Sequence, residues 1–151
     1  MSVRIVRLGS ERLPGEGLRI GTVRHPPRGV RKEAYAEQNF FDVWFPVLAP
    51  SAETLREDRK RSAQRAKSGQ RRAVPAPGPA GLGAESERDW KSFVRKYRSE
   101  MGTPECRATL ALLAALSQRS DFSVGCYCAD ESRCHRSVLR ELLLAAGARI
   151  E

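Results

Sequence analysis

Cys126-Tyr127-Cys128-Ala129-Asp130-Glu131-Ser132-Arg133-Cys134-His135-Arg136 holds three of the chain's four cysteines and one of its two histidines within eleven residues. Thiols and imidazoles bind zinc, attack electrophiles and change redox state near neutral pH, and the cluster admits each of these chemistries. As a zinc site, Cys126, Cys128, Cys134 and His135 would form a set of three thiolates and one imidazole. Their spacing departs from the usual gaps of about two to four residues, and adjacent Cys134 and His135 are awkward partners for one ion on a helical turn. As a nucleophilic site, Cys134 would be a thiolate with His135 in acid/base support and arginines holding an anionic substrate. As plain packing, Cys126 would fill the sheet and His135 would bond a carbonyl, a reading that suits Cys126 better than the Cys134-His135-Arg136 triplet. A phosphatase-type loop is excluded, because its Cys-to-Arg spacing is absent and no glycine lies between Cys126 and Arg133 to let backbone N–H groups cup an anion.

Elements around the cluster say how it is held. Residues 121–125 read as a short strand and residues 137–146 as a helix closed by Gly147, so the cluster sits at a strand-to-helix turn, where α/β sheets bind ligands. Period-two alternation puts Phe122, Val124, Cys126 and Cys128 on one face. Ser132 is the expected N-cap, which places Cys134 and His135 in the first helical turn. There the helix dipole, Arg133 and Arg136 would lower a thiol pKa.

A second segment, Arg24-His25-Pro26-Pro27-Arg28-Gly29-Val30-Arg31-Lys32, holds the other histidine among arginines, a lysine and a rigid proline pair. Prolines fix the backbone without a helix, so this loop can present its cations in place, although an ordinary turn with solvated charges has the same composition. It follows a strand expected over residues 18–24, itself preceded by one over residues 3–8. Strand-end loops of a parallel sheet converge on one edge. The expected site is therefore this loop meeting the cysteine turn: Arg24, His25, Arg28, Lys32 and Arg136 for an anionic substrate, Cys134 and His135 for catalysis, and Cys126 and Cys128 for a metal, zinc by its ligand types.

The remaining chain supplies core and charge. Residues 40–45 are an aromatic run read as a buried strand or core-packing loop. Ser51 caps a helix from Ala52, whose basic continuation leads into a Pro/Gly/Ala-rich stretch at residues 73–84, so residues 56–84 are expected to be a mobile insertion. Ser86 and Asp89 suggest a capping box for a helix with Trp90, Phe93, Val94, Tyr97 and Met101 as a core stripe. Thr103-Pro104-Glu105 starts the next helix, with Cys106, Leu110, Leu113 and Leu116 as its apolar face. Cys106 is read as core rather than ligand.

Net charge is +9 with pI ≈ 10.0, which points to an anionic partner such as a nucleotide or nucleic acid. Eight basic residues between Arg56 and Arg72, against Glu57 and Asp58, supply six of those charges. No aromatic residue interleaves them, so a solvated charged helix or insertion outweighs a dedicated nucleic-acid arm, and any binding there would be backbone-directed and salt-sensitive. No apolar run is long enough to span a bilayer and no secretory h-region opens the chain, so a cytoplasmic location with reduced thiols is expected.

The chain resembles the domain-of-unknown-function 488 family of small bacterial and archaeal α/β proteins. Cys126 and Cys134-His135-Arg136 resemble its strand-end Cys and the Cys-His-Arg that opens its last helix. Arg24, Pro27-Arg28-Gly29-Val30, Lys32-Glu33, Asp42-Val43-Trp44 and Leu48-Ala49-Pro50-Ser51 resemble segments of one branch, as do Phe93, Tyr97 and Met101. Cys128 stands where the family pattern usually has Glu; a metal ligand tolerates that exchange better than a general base does. A fainter similarity, Cys-x-Cys then Cys-His and a leucine-rich helix, links the chain to the domain-of-unknown-function 4326 family. Neither resemblance names a substrate. The first implies a single Rossmann-like α/β domain, with a small, mostly parallel sheet flanked by helices. The function expected from all this is a small enzyme acting on a phosphate-bearing substrate. Two alternatives are a nucleic-acid binding module with a structural zinc and a redox-sensing thiol protein; protein partners are not indicated.

Overall fold

A computed structural model of the chain describes residues 1–67 and 84–151. Four strands, β1 (Val3–Arg7), β2 (Leu18–Gly21), β3 (Val43–Trp44) and β4 (Phe122–Cys126), form one sheet in the order β1-β4-β2-β3. Every pairing is parallel, with Phe122 beside both Val3 and Leu18 and Ile20 beside Val43. The α/β class and the parallel sheet are therefore as expected. β4 lies between two neighbours and is buried along its whole length, which its Phe-Ser-Val-Gly-Cys sequence permits: large apolar residues on one face, small ones on the other.

Helices α1 (Ala52–Lys67), α2 (Ala84–Met101) and α3 (Pro104–Leu116) lie between β3 and β4, and α4 (His135–Ala145) follows β4. Val3, Ile20, Phe122 and Val124 of the sheet share a core with Phe93, Tyr97 and Met101 of α2, Leu110 and Leu113 of α3, and Leu139 and Leu143 of α4. The opposite face is covered by loops. A Cβ on Gly21 would lie 2.4 Å from the Phe41 ring and one on Gly125 would lie 2.6 Å from Leu8, so these glycines let the loops lie directly on the strands. The connections from β1 to β2 and from β2 to β3 are Gly- and Pro-punctuated and contain only a 3-10 turn at Lys32–Ala34, so no helix forms to cover this face.

Beneath those loops lies a buried ion pair that composition did not reveal. The Arg19 guanidinium, fully buried, donates to Glu16 Oε1 at 2.6 Å and Oε2 at 2.8 Å, and to the carbonyls of Ser10 and Asn39. Glu16 also accepts from Ser123 Oγ at 2.6 Å and Leu13 N at 3.0 Å. Both charges are thus saturated with hydrogen bonds, the condition under which burial of a pair is tolerated.

Of the two expectations for the aromatic run, the core-packing loop holds: only Val43–Trp44 are extended, at the sheet edge with exposed side chains, and Phe41 carries the burial from the loop. Local expectations differ from the structure in three places. α2 begins at Ala84, ahead of Ser86, because Ala and Glu propagate a helix readily. On α3 the buried face is Cys106, Leu110, Leu113 and Ala114; Leu116 is turned outward, and the fully buried Ser117 lies four residues beyond Leu113. Ser132 does not cap α4. Asp130 Oδ1 instead accepts from Ser132 N at 2.9 Å and caps a 3-10 turn at Glu131–Arg133, a carboxylate being the stronger acceptor. As for the basic insertion, α1 extends through Lys67; residues 68–83, including Arg71, Arg72 and nearly all of the Pro/Gly/Ala stretch, lie outside the described residues. No described helix is long and apolar enough to cross a membrane.

Candidate functional site

At the carboxyl ends of β2 and β4 a cavity of about 590 Å³ opens, lined by Cys126, Cys128, Cys134, His135 and the residue 23–28 loop. Ligands bind at this edge of parallel sheets because the chain leaves the strands there and helix N-termini face it. Cys134 is that N-terminus: extended, at φ −126° and ψ 151°, it is the N-cap residue of α4 and His135 is the first helical residue. This resolves the difficulty of adjacency. With Cys134 outside the helix, its Sγ and His135 Nδ1 converge to 3.7 Å instead of diverging around a turn.

The His135 ring is fixed on its other side. Nε2 lies 2.8 Å from the Thr22 carbonyl and 3.4 Å from Thr22 Oγ1, while the Tyr97 ring packs edge-on at 5.5 Å. A carbonyl only accepts, so Nε2 carries a proton and donates it, and Nδ1 is directed to Cys134. Cys126, Cys134 and His135 each place one ligand atom within 4.8 Å of the others, so the three could hold a metal ion. Cys128 stands at the exposed rim, with Sγ 3.7 Å from Cys126 Sγ.

Contacts among these thiols favour ionisation at Cys134 over its two neighbours. Hydrogen bonds from Cys126 first, then Cys128, and then from His135, hold Cys134 well below the ordinary thiol range against the opposing effect of burial. Cys126 is pushed far up by its bonds to Cys128 and Cys134 and by burial. Cys128 is also raised: its bond to Cys126 pulls it down, but Cys134 and burial outweigh that. The arginines expected to activate Cys134 are engaged elsewhere. Arg133 Nη2 meets Glu87 at 2.8 Å with its guanidinium 5.7 Å above Trp90, and the buried Arg136 donates from Nη2 to the Cys128 carbonyl at 2.7 Å. The neighbouring thiols, not the arginines, set the thiolate.

Of the proposed anion-binding residues, Arg24, His25 and Arg28 line the cavity, whereas Lys32 and Arg136 are not on its wall. Lys32 is exposed on the 3-10 turn. Arg24 directs its guanidinium at the Pro50 and Ala49 carbonyls, each 3.0 Å away, and so ties the loop to the start of α1. His25 and Arg28 are exposed. Sequence reasoning missed five contributors: Thr22, a small polar residue just beyond β2 that gives no signal; Phe40 and Tyr127, whose rings meet edge-on at 6.1 Å beside the thiols; and Asp58 and Arg59 of α1, hidden within what reads as an undifferentiated charge run.

Among comparisons with known proteins, the family model DUF488-N3a, described as the active DUF488-N3 subclade, matches residues 3–73 and 75–147. No curated protein and no solved structure matches the chain.

Proposed function

The chain belongs to the DUF488 family, and from that premise we propose that it is a small enzyme whose Cys134 thiolate attacks a phosphate-bearing substrate of the nucleotide class. The observation that carries this is the fixed dyad: Nε2 of His135 is anchored on Thr22 at 2.8 Å, and Nδ1 faces Cys134 Sγ at 3.7 Å in the wall of a cavity. In this reading the Cys134 thiol proton passes to His135 Nδ1, Sγ forms a bond to the electrophilic centre as the bond to the leaving group breaks, and the same proton passes from Nδ1 to the departing atom. Arg28 and Arg59 supply cations for phosphate, His25 lines the wall beside them, and Phe40, Phe93 and Tyr127 supply apolar faces for a base. Alkylation by iodoacetamide at neutral pH, mapped by mass spectrometry, tests it: Cys134 takes the label and a nucleotide protects it. A protein that labels at Cys128 alone, unaffected by any nucleotide, would refute the reading.

A second reading rests on the three convergent ligand atoms of Cys126, Cys134 and His135. Zinc on this set, with Cys128 or water as fourth ligand, would serve as a structural or hydrolytic centre. Metal analysis of protein purified without chelators decides between the two: near-stoichiometric zinc that falls in Cys134→Ser assigns the Cys134 lone pair to a metal.

A further inference from the structure

Charge on the cavity wall does not stop at the cavity. Arg28, on the loop after β2, lines it, and Arg31 and Lys32 follow outside it, exposed; Arg59, on α1, lines it from a different element, and Arg56 and Lys60 share the outward side of that helix, also exposed. None of these six makes an ion pair with a described residue, whereas their neighbour Arg61 is paired with Glu57 at 3.7 Å and Asp89 at 3.9 Å. α1 carries more bases than acids, and Glu57, its paired acid, is shared between Arg61 and Lys96 of α2, so Arg56, Arg59 and Lys60 keep their charge available to an anion from outside.

We propose that the substrate is a single-stranded polynucleotide, held so that one nucleotide enters the cavity and the flanking phosphates rest on Arg31 and Lys32 along the loop and on Arg56 and Lys60 along α1. This rests on the nucleotide reading of the cavity and specifies it. A free nucleotide gathers its phosphates at one point, but here the cations are dispersed over two elements, and the wall also carries the carboxylate of Asp58. Dispersed cations fit charge dispersed along a strand. A volume of about 590 Å³ suits one small ligand rather than a duplex, and enzymes acting on a nucleotide within a strand extrude it into such a pocket.

Fluorescence anisotropy with a labelled DNA single strand of about 12 nucleotides, titrated from low to high salt, provides the test. Wild-type protein should bind the strand more tightly than a labelled mononucleotide. The Arg31→Gln/Arg56→Gln/Lys60→Gln variant should lose about tenfold or more in strand affinity and flatten the log–log salt slope by about 2, since each phosphate contact on a single strand contributes roughly 0.7. Its mononucleotide protection of Cys134 should be unchanged. Equal strand affinity in variant and wild type, or a mononucleotide that binds as tightly as the strand, overturns the inference. If the strand binds and the variant weakens it while Cys134 proves inert to alkylation, the strand-binding surface stands and the nucleophile reading alone fails.

Discussion

At the scale of single residues, a buried thiolate is stabilised here by other thiols. Removing a donor must raise the Cys134 pKa, because each hydrogen bond favours its charged form. Bonds from Cys126 lower it most and those from His135 less, so Cys126→Ala should shift the alkylation midpoint of Cys134 upward by more than His135→Asn does. Stopped-flow alkylation across pH measures both, with Cys106, buried in the core and 3.6 Å from the Val47 carbonyl, as an unlabelled reference. An ordering with His135 dominant would mean that the imidazole, not the thiol triad, sets the charge. The cluster itself was legible because residue types and spacing are local properties. Which of its members would carry the charge was not, since that depends on where the N-cap falls.

Among elements, the start of α1 is held by a side chain of α2. Glu100 accepts from Ser51 N at 3.0 Å, Ser51 Oγ at 2.5 Å and Thr54 Oγ1 at 2.6 Å, so the cap of α1 is itself capped. Ser51 as N-cap could be read from sequence, as Thr54 N donates to its Oγ at 3.1 Å. The carboxylate beneath it could not, because 49 residues separate the partners. Glu100→Ala should cost about 1–3 kcal/mol by removing the acceptor of the buried Thr54 hydroxyl proton, the contact from Ser51 Oγ at 3.2 Å remaining, and thermal denaturation checks it. Since α1 carries Arg59 to the cavity, the same variant should weaken nucleotide protection of Cys134. On the far face of the sheet, Gly21→Ala should cost about 1–3 kcal/mol by displacing the Phe41 ring; a variant of unchanged stability would show that the covering loop yields freely.

For the whole molecule, the Glu16–Arg19 pair makes stability depend on acid pH. Burial pushes the Glu16 carboxyl up, but bonds from Arg19, Ser123 and Leu13 outweigh it and hold the pKa at about 2 in place of 4.5. A depressed carboxyl contributes stability in full above its unfolded value and loses it as pH falls from about 4.5 toward 2. That difference corresponds to about 3 kcal/mol. Urea titrations at successive pH values should therefore show the midpoint falling through this window, and Glu16→Gln should flatten the decline. The same substitution at neutral pH should cost about 3–5 kcal/mol, because it leaves the Arg19 charge buried without its counterion.

The parallel α/β class came from the family resemblance. Sequence alone determined what apolar periodicity, capping and clustering encode: the aromatic stripe of α2, Thr103 and Ser51 as caps, Cys106 as core, and a cysteine–histidine turn at the end of a strand. All of these are set within a few turns of chain. Tertiary structure decided what must be brought from a distance. It put Thr22 against His135 across 113 residues, Arg59 of a charged helix onto the cavity, Arg24 onto the Pro50 and Ala49 carbonyls, and Glu16 beneath Ser123. A sheet in the order β1-β4-β2-β3 places the last strand between the first two, so the site exists only once the final third of the chain has been inserted among residues from its beginning. No local pattern can specify that juxtaposition, because it follows from which strands pair.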